Sequence, residues 1–188
     1  MTERIIEAAP LTAAAFAPFG TVIETEGHTP LEINNGTCER FNDLAPLDVQ
    51  LEGGRPLLSI FRARPCPLPL EVRTLERHPL SSQSFYPLDG QPFLIVVGLD
   101  RGPSGAAEIR AFYAAGSQGV SYARNTWHHA LLAIGQTSRF VVVDRGGPRS
   151  NCEERAISPA IRVTAPLDLA SRSHWDLPML EQLRIPIG

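Results

Sequence analysis

The chain contains no lysine; all 17 of its basic residues are arginine. A lysine nucleophile or lysine Schiff base is therefore excluded, and recognition of a carboxylate falls to the planar guanidinium fork. Cysteine is scarce. Cys38, Cys66 and Cys152 are widely spaced and odd in number, which builds neither a disulfide framework nor a C-x-x-C zinc site, so they are expected as small, partly buried residues. No apolar run approaches the ~20 residues of a membrane span, and the opening Met1-Thr-Glu-Arg-Ile-Ile-Glu7 lacks the basic-then-apolar plan of a signal peptide. The expectation is a cytoplasmic protein with no membrane partner. A formal net charge of -3 offers no basic footprint, so no nucleic acid is expected as a partner.

With 188 residues, 43% hydrophobic and 20% charged, the chain can bury one sizeable core and is expected to be one domain. Amphipathic helices are nearly missing. Residues 12–18 read as a short helix, capped by Thr12 and ended by Pro18-Phe-Gly20. Thr21–Glu24 reads as a strand, Asn34-Asn35-Gly36 as a tight turn, and residues 39–56 as a loop or hairpin. From residue 57, strands are predicted over 57–64, 70–78, 83–88, 92–99, 108–114, 120–122, 127–135, 138–145 and 156–163. Gly- and Asp-rich turns separate them. Many short strands at that spacing predict an all-β sandwich or small barrel. The Pro-bearing tail over 164–188 reads as an irregular arm that packs on the barrel of residues 1–163 or on a partner subunit.

The chemistry concentrates in Gly119-Val-Ser-Tyr-Ala-Arg-Asn-Thr-Trp-His-His129, which runs into Ala130-Leu-Leu-Ala-Ile134. Strand alternation would put His128 on one face with Ala130, Leu132 and Ile134, and His129 on the other with Trp127, Leu131 and Ala133. Only one of the two can be central, and His128 is taken as that one. Alternation over Leu70-Glu-Val-Arg-Thr-Leu-Glu-Arg-His78 puts Glu71, Arg73, Leu75 and Arg77 on a solvated face. It puts Leu70, Val72, Thr74, Glu76 and His78 on an inner one, so Glu76 and His78 reach the mouth of the interior together. Buried groups of this kind need a partner, a metal or a task. Gln83 follows after a turn and is expected to face the same cavity. His78, Gln83 and His128 could ligate a divalent metal, or the cluster could be a metal-free acid/base site.

The spacing Glu76-x-His78-x4-Gln83 and the stretch Ala123-x-Asn125-x-x-His128 resemble degenerate forms of the two cupin motifs, with Glu in place of the first His and Gln in place of the acid. A closer resemblance rests on Ile33-Asn-Asn-Gly36, Leu75-Glu-Arg-His-Pro-Leu80, Gly119-Val-x-Tyr122, Arg124-Asn-x-Trp-His-His129 and Asp144-Arg-Gly-Gly147. Together these are similar to the ureidoglycolate lyase family. The resemblance implies a cupin-like double-stranded β-helix or jelly-roll barrel, a homodimer, and cleavage of (S)-ureidoglycolate to glyoxylate and urea. It leaves open whether the cofactor is none or a divalent metal such as nickel, zinc or manganese. For that reaction His128 or His78 is the candidate base, and the other, or Glu76, the acid. Arg62, read as inward with Leu58 and Ile60, and Arg124 are the candidates for the substrate carboxylate. Tyr122 and Gln83 are candidates for the ureido group, and Asp144-Arg145 reads as a strand-end ion pair. Two competing readings are another metal-dependent cupin enzyme on a small acid and a non-catalytic small-molecule-binding cupin.

Overall fold

Thr12 Oγ1 accepts the Ala15 N–H at 3.2 Å, and the alanines that follow carry a single helical turn, α1 (Ala13–Phe16), whose one buried side chain is Phe16. That capped turn is the only α-helix among the described residues of this computed structural model, which are 4–100 and 107–166. Strands make up the rest of the regular structure: β1 (Arg4–Glu7), β2 (Ala9–Pro10), β3 (Gly20–Ile23), β4 (Leu31–Ile33), β5 (Cys38–Arg40), β6 (Arg55–Ala63), β7 (Leu70–Arg77), β8 (Gln83–Pro87), β9 (Phe93–Asp100), β10 (Ala107–Ala114), β11 (Gly119–Tyr122), β12 (Trp127–His128), β13 (Leu132–Ala133), β14 (Ser138–Gly146) and β15 (Glu153–Thr164). One 3-10 turn, Leu51–Gly53, precedes β6. The expected tail lies outside the described residues from 167 onward.

The strands assemble into a larger sheet ordered β1-β15-β7-β12-β9-β10-β2, with β13 also on β9, a five-stranded sheet ordered β3-β11-β8-β14-β6, and the β4-β5 hairpin. The hairpin turns through Asn34 and Asn35 at φ 54° and 55° and Gly36 at φ 83°, where Asn and Gly bear the left-handed conformation at least cost. In the larger sheet β1 packs beside β10, so the sheet curls toward closure. The fold is all-β, two main sheets with one helical turn among the described residues.

β9 shows why two cores form. Phe93, Ile95 and Val97 face the core between the sheets, whereas Leu94 and Val96 face a second core inside the curl of the larger sheet. All five are 2% exposed or less, so the apolar run is a strand buried on both faces. Each such side chain contributes on the order of 1.5–3 kcal/mol by leaving water, and Phe93→Ala would cost about 3–5 kcal/mol. Phe16 packs its ring 5.9 Å from Phe19, 5.9 Å from Phe112 and 6.1 Å from Tyr122. The small helix thereby wedges Tyr122 in place.

Three local expectations are corrected. The strand predicted over 127–135 is broken into β12 and β13, because residues 129–131 leave the ladder. Leu132 and Ile134 therefore join Trp127 in the second core, and His129 is half-buried with its N–H on Val96 O at 2.9 Å. In β7 the alternation also resets. Thr74 pairs with Ala156 and Val72 with Ile161 across a bulge in β15, so Val72 and Leu75 enter the same core and Leu75, read as solvated, is 1% exposed. In β6 the face carrying Leu58 and Ile60 points outward, at 73% and 58% exposure.

Candidate active site

The turn Ala123–Thr126 brings β12 against β7. Asn125 adopts φ 67°, its N–H reaches His78 O at 3.1 Å, and Thr126 Oγ1 donates to Phe19 O at 2.8 Å. His128 is thereby set opposite Glu76 in the ladder, with Tyr122 stacked on its ring at 4.2 Å and 19°. The His78 ring centroid is 5.1 Å away. Both imidazoles are oriented by backbone carbonyls: His128 Nδ1 lies 2.8 Å from Thr126 O and His78 Nδ1 2.6 Å from Asn151 O. A carbonyl oxygen only accepts, so each Nδ1 carries a hydrogen, and in a neutral ring the lone pair is on Nε2. Neither Nε2 finds a partner among the described residues.

Burial pushes His128 down to about 3, opposed by the Thr126 carbonyl and reinforced by His78 and His129. Its 3.6 Å approach to Glu76 Oε1 is therefore not an ion pair near neutral pH; a lone pair faces a carboxylate. The other Glu76 oxygen accepts from Cys152 Sγ at 3.8 Å, and burial, with Glu76 next, pushes that thiol up. Burial likewise pushes the Tyr122 phenol up, the Glu76 charge adding, so Tyr122 remains a hydrogen-bond donor. Ligand atoms of Glu76, His78 and His128 all lie within 4.8 Å of one another. Two unpaired imidazole nitrogens and a carboxylate fit a divalent cation.

The opposing wall comes from the five-stranded sheet. Gln83 sits beside Tyr122 in the ladder and donates from Nε2 to Asp144 Oδ2 at 3.1 Å. Its Oε1 is buried and has no partner among the described residues. Glu76 and Gln83 line one cavity of about 340 Å³ with Phe61, Arg62, Ala63, Phe85, Ala130 and Leu131. The candidate residues thus converge across two sheets, not along one face of a strand.

The family model for ureidoglycolate lyase matches residues 3–164. A ureidoglycolate lyase of Burkholderia mallei is 53% identical over 155 residues, covering 82% of this chain and 91% of that protein. One from Brucella melitensis is 53% identical over 145 residues, covering 77% and 85%, and one from Burkholderia cepacia is 50% identical over 150 residues, covering 80% and 85%. The chain belongs to the ureidoglycolate lyase family.

In this ureidoglycolate lyase family member the two candidate arginines are placed differently. Arg62, read as inward, is exposed on the edge strand β6, on the parity of the outward Leu58 and Ile60, and borders the cavity only at its rim. Arg124 is committed elsewhere: its Nε donates to Asp48 Oδ2 at 2.9 Å and its Nη2 to the same oxygen. Asp48 is in turn tied to the turn before β8, its N–H on Ser82 Oγ at 3.0 Å and its carbonyl on Ser82 N at 2.8 Å. The expected Asp144–Arg145 ion pair is not formed. Asp144 accepts the Arg145 backbone N–H at 2.7 Å, and the Arg145 side chain binds Leu51 O and Glu52 O. Asn151 was not singled out from the sequence, because its backbone oxygen acts on His78 from 73 positions away and a carbonyl leaves no residue-type signal. Asp144 had one: it shares strand parity with the inward Phe140 and Val142.

Proposed function

We propose that this protein is a ureidoglycolate lyase that cleaves (S)-ureidoglycolate to glyoxylate and urea in allantoin breakdown. The observation that carries the reading is the clustering of Glu76, His78 and His128 within 4.8 Å of one another beside the cavity that Glu76 lines, in a chain of this family. The reaction removes the carbinol O–H proton, forms the aldehyde C=O as the C–N bond breaks, and protonates the departing urea nitrogen. His128 is the weaker proton carrier, because burial holds it neutral. His78 takes the carbinol proton at Nε2 and returns it to the urea nitrogen, its Nδ1–H held throughout by Asn151 O. Glu76 stabilises the imidazolium formed in between, and His128 and Tyr122 hold the substrate. Arg62 faces the carboxylate, with Arg124 as the alternative should Asp48 release it.

Glu76, His78 and His128 are the residues that would hold a divalent cation such as nickel, zinc or manganese, with Gln83 facing them. Such an ion, when bound, polarises a hydroxyl or carboxylate oxygen as a Lewis acid. We place the site in the barrel of residues 1–163. We assign the protein to the cytoplasm and to a homodimer, the latter supported by the outward apolar face of β6 around Leu58 and Ile60. Light scattering giving twice the chain mass of 20.5 kDa is the expected result; a single chain mass refutes the dimer. Purified protein should release equimolar urea and glyoxylate from racemic ureidoglycolate and stop near half consumption. No release, with metal content verified by mass spectrometry and nickel, zinc and manganese each supplied, refutes the activity.

A further inference from the structure

Asp144 and Gln83 lie side by side on the inward face of the five-stranded sheet, one register step beyond the Val143–Ser84 pair. A carboxylate only accepts, so whichever end of the Gln83 amide meets Asp144 must be the NH2 end. The 3.1 Å contact therefore leaves the amide one orientation. Asp144 is itself pinned, because its other oxygen takes the Arg145 backbone N–H. The consequence is a carbonyl oxygen, on a side chain only 6% exposed, that no protein donor satisfies among the described residues. Gln83 lines the cavity that Glu76 also lines.

We infer that Asp144 is a positioning residue that locks the Gln83 carbonyl toward the cavity, so that the site selects its ligand by a terminal NH2 placed against that oxygen. The inference rests on the proposed ureido substrate and names the end of it that is read. An isosteric ligand with a methyl in place of the NH2 would bury the carbonyl unpaired.

The test uses two unreactive acids that differ only at that group, N-carbamoylglycine and N-acetylglycine, titrated calorimetrically into the full-length protein. Wild type should bind the carbamoyl compound roughly tenfold tighter, the usual effect of leaving a buried acceptor unpaired. Asp144→Asn offers both a donor and an acceptor, frees the amide to turn over, and should bring the ratio near one with little change in Tm. Gln83→Met removes the acceptor and should do the same. Equal binding of the two acids by wild type overturns the inference, as does a folded Asp144→Asn that keeps the full ratio. If Asp144→Asn fails to fold, Gln83→Met decides: a retained ratio overturns the inference and a lost one supports it. Turnover is read separately. A wild type that separates the two acids but releases no urea refutes the proposed reaction alone, and one that turns over ureidoglycolate but binds both acids equally refutes this inference alone.

Discussion

Trp127 and His128 are adjacent in the chain and share the short strand β12, yet their side chains meet opposite surroundings. Around Trp127 every polar group is paired. Arg77 and Arg155 lie over its ring at 4.5 and 4.4 Å, its Nε1 donates to Asp100 at 3.1 Å, Asp100 also takes Arg155, and Glu153 takes Arg77. Around His128, its own Nε2, the Nε2 of His78 and the Oε1 of Gln83 are buried without a partner among the described residues. Saturated valences hold the strand in place, and open ones on its other face are what a ligand can satisfy, so stability and chemistry are separated by one residue.

The largest effects should separate the two faces outright. His78→Ala and His128→Ala should each lower kcat/KM by roughly 10²–10⁴, read with saturating metal so that loss of an ion is distinguished from loss of a proton carrier. Trp127→Ala should instead cost about 3–5 kcal/mol of unfolding free energy, while turnover per folded molecule changes by less than about tenfold. If Trp127→Ala costs as much turnover as His78→Ala, the division between the faces is wrong.

A pH dependence sharpens the comparison. His128 is pushed down to about 3 when folded, against ~6.5 in an unfolded chain. Between those values the unfolded state binds a proton that the folded state refuses, so stability falls as pH drops through that window. His128→Gln should flatten that part of the profile in denaturant titrations at several pH values, and an unchanged slope would contradict the neutral, buried imidazole.

The smallest effect lies on the paired face. The Arg155 guanidinium beside Asp100, helped by Trp127 Nε1–H, holds its carboxyl below the usual carboxylate range. Stability from this group is present above the unfolded value of ~3.9 and is lost as pH falls through the lower folded value. Asp100 is 43% exposed, so Asp100→Asn should cost under about 1 kcal/mol at neutral pH and progressively less as the pH falls below ~3.9, by thermal melts. A larger loss at neutral pH would mean that the pair is less solvated than its exposure implies.

Much of this was readable in advance where one residue type dictates local geometry. The cap at Thr12, the Asn34-Asn35-Gly36 turn, most strand positions and the short list of chemically capable residues all follow from propensity and pattern. Facing was less legible. Alternation predicts faces only while a ladder is unbroken, and it resets at residues 129–131 and at the bulge opposite β7. Alternation groups Glu76 and His78 with Val72, whereas Val72 enters the second core and Glu76 and His78 meet His128.

By itself the sequence determined an all-β chain without lysine chemistry, and it determined which imidazoles and carboxylates were available, because those properties belong to residues and their near neighbours. Only the tertiary structure decided which of them meet. Strand order brings β8 and β14 side by side although Gln83 and Asp144 are 61 positions apart, and it leaves the Leu58–Ile60 face of β6 outward. It also ties Arg124 to Asp48 across 76 positions. Sheet pairing is long-range, and nothing in the local pattern of either strand names its partner.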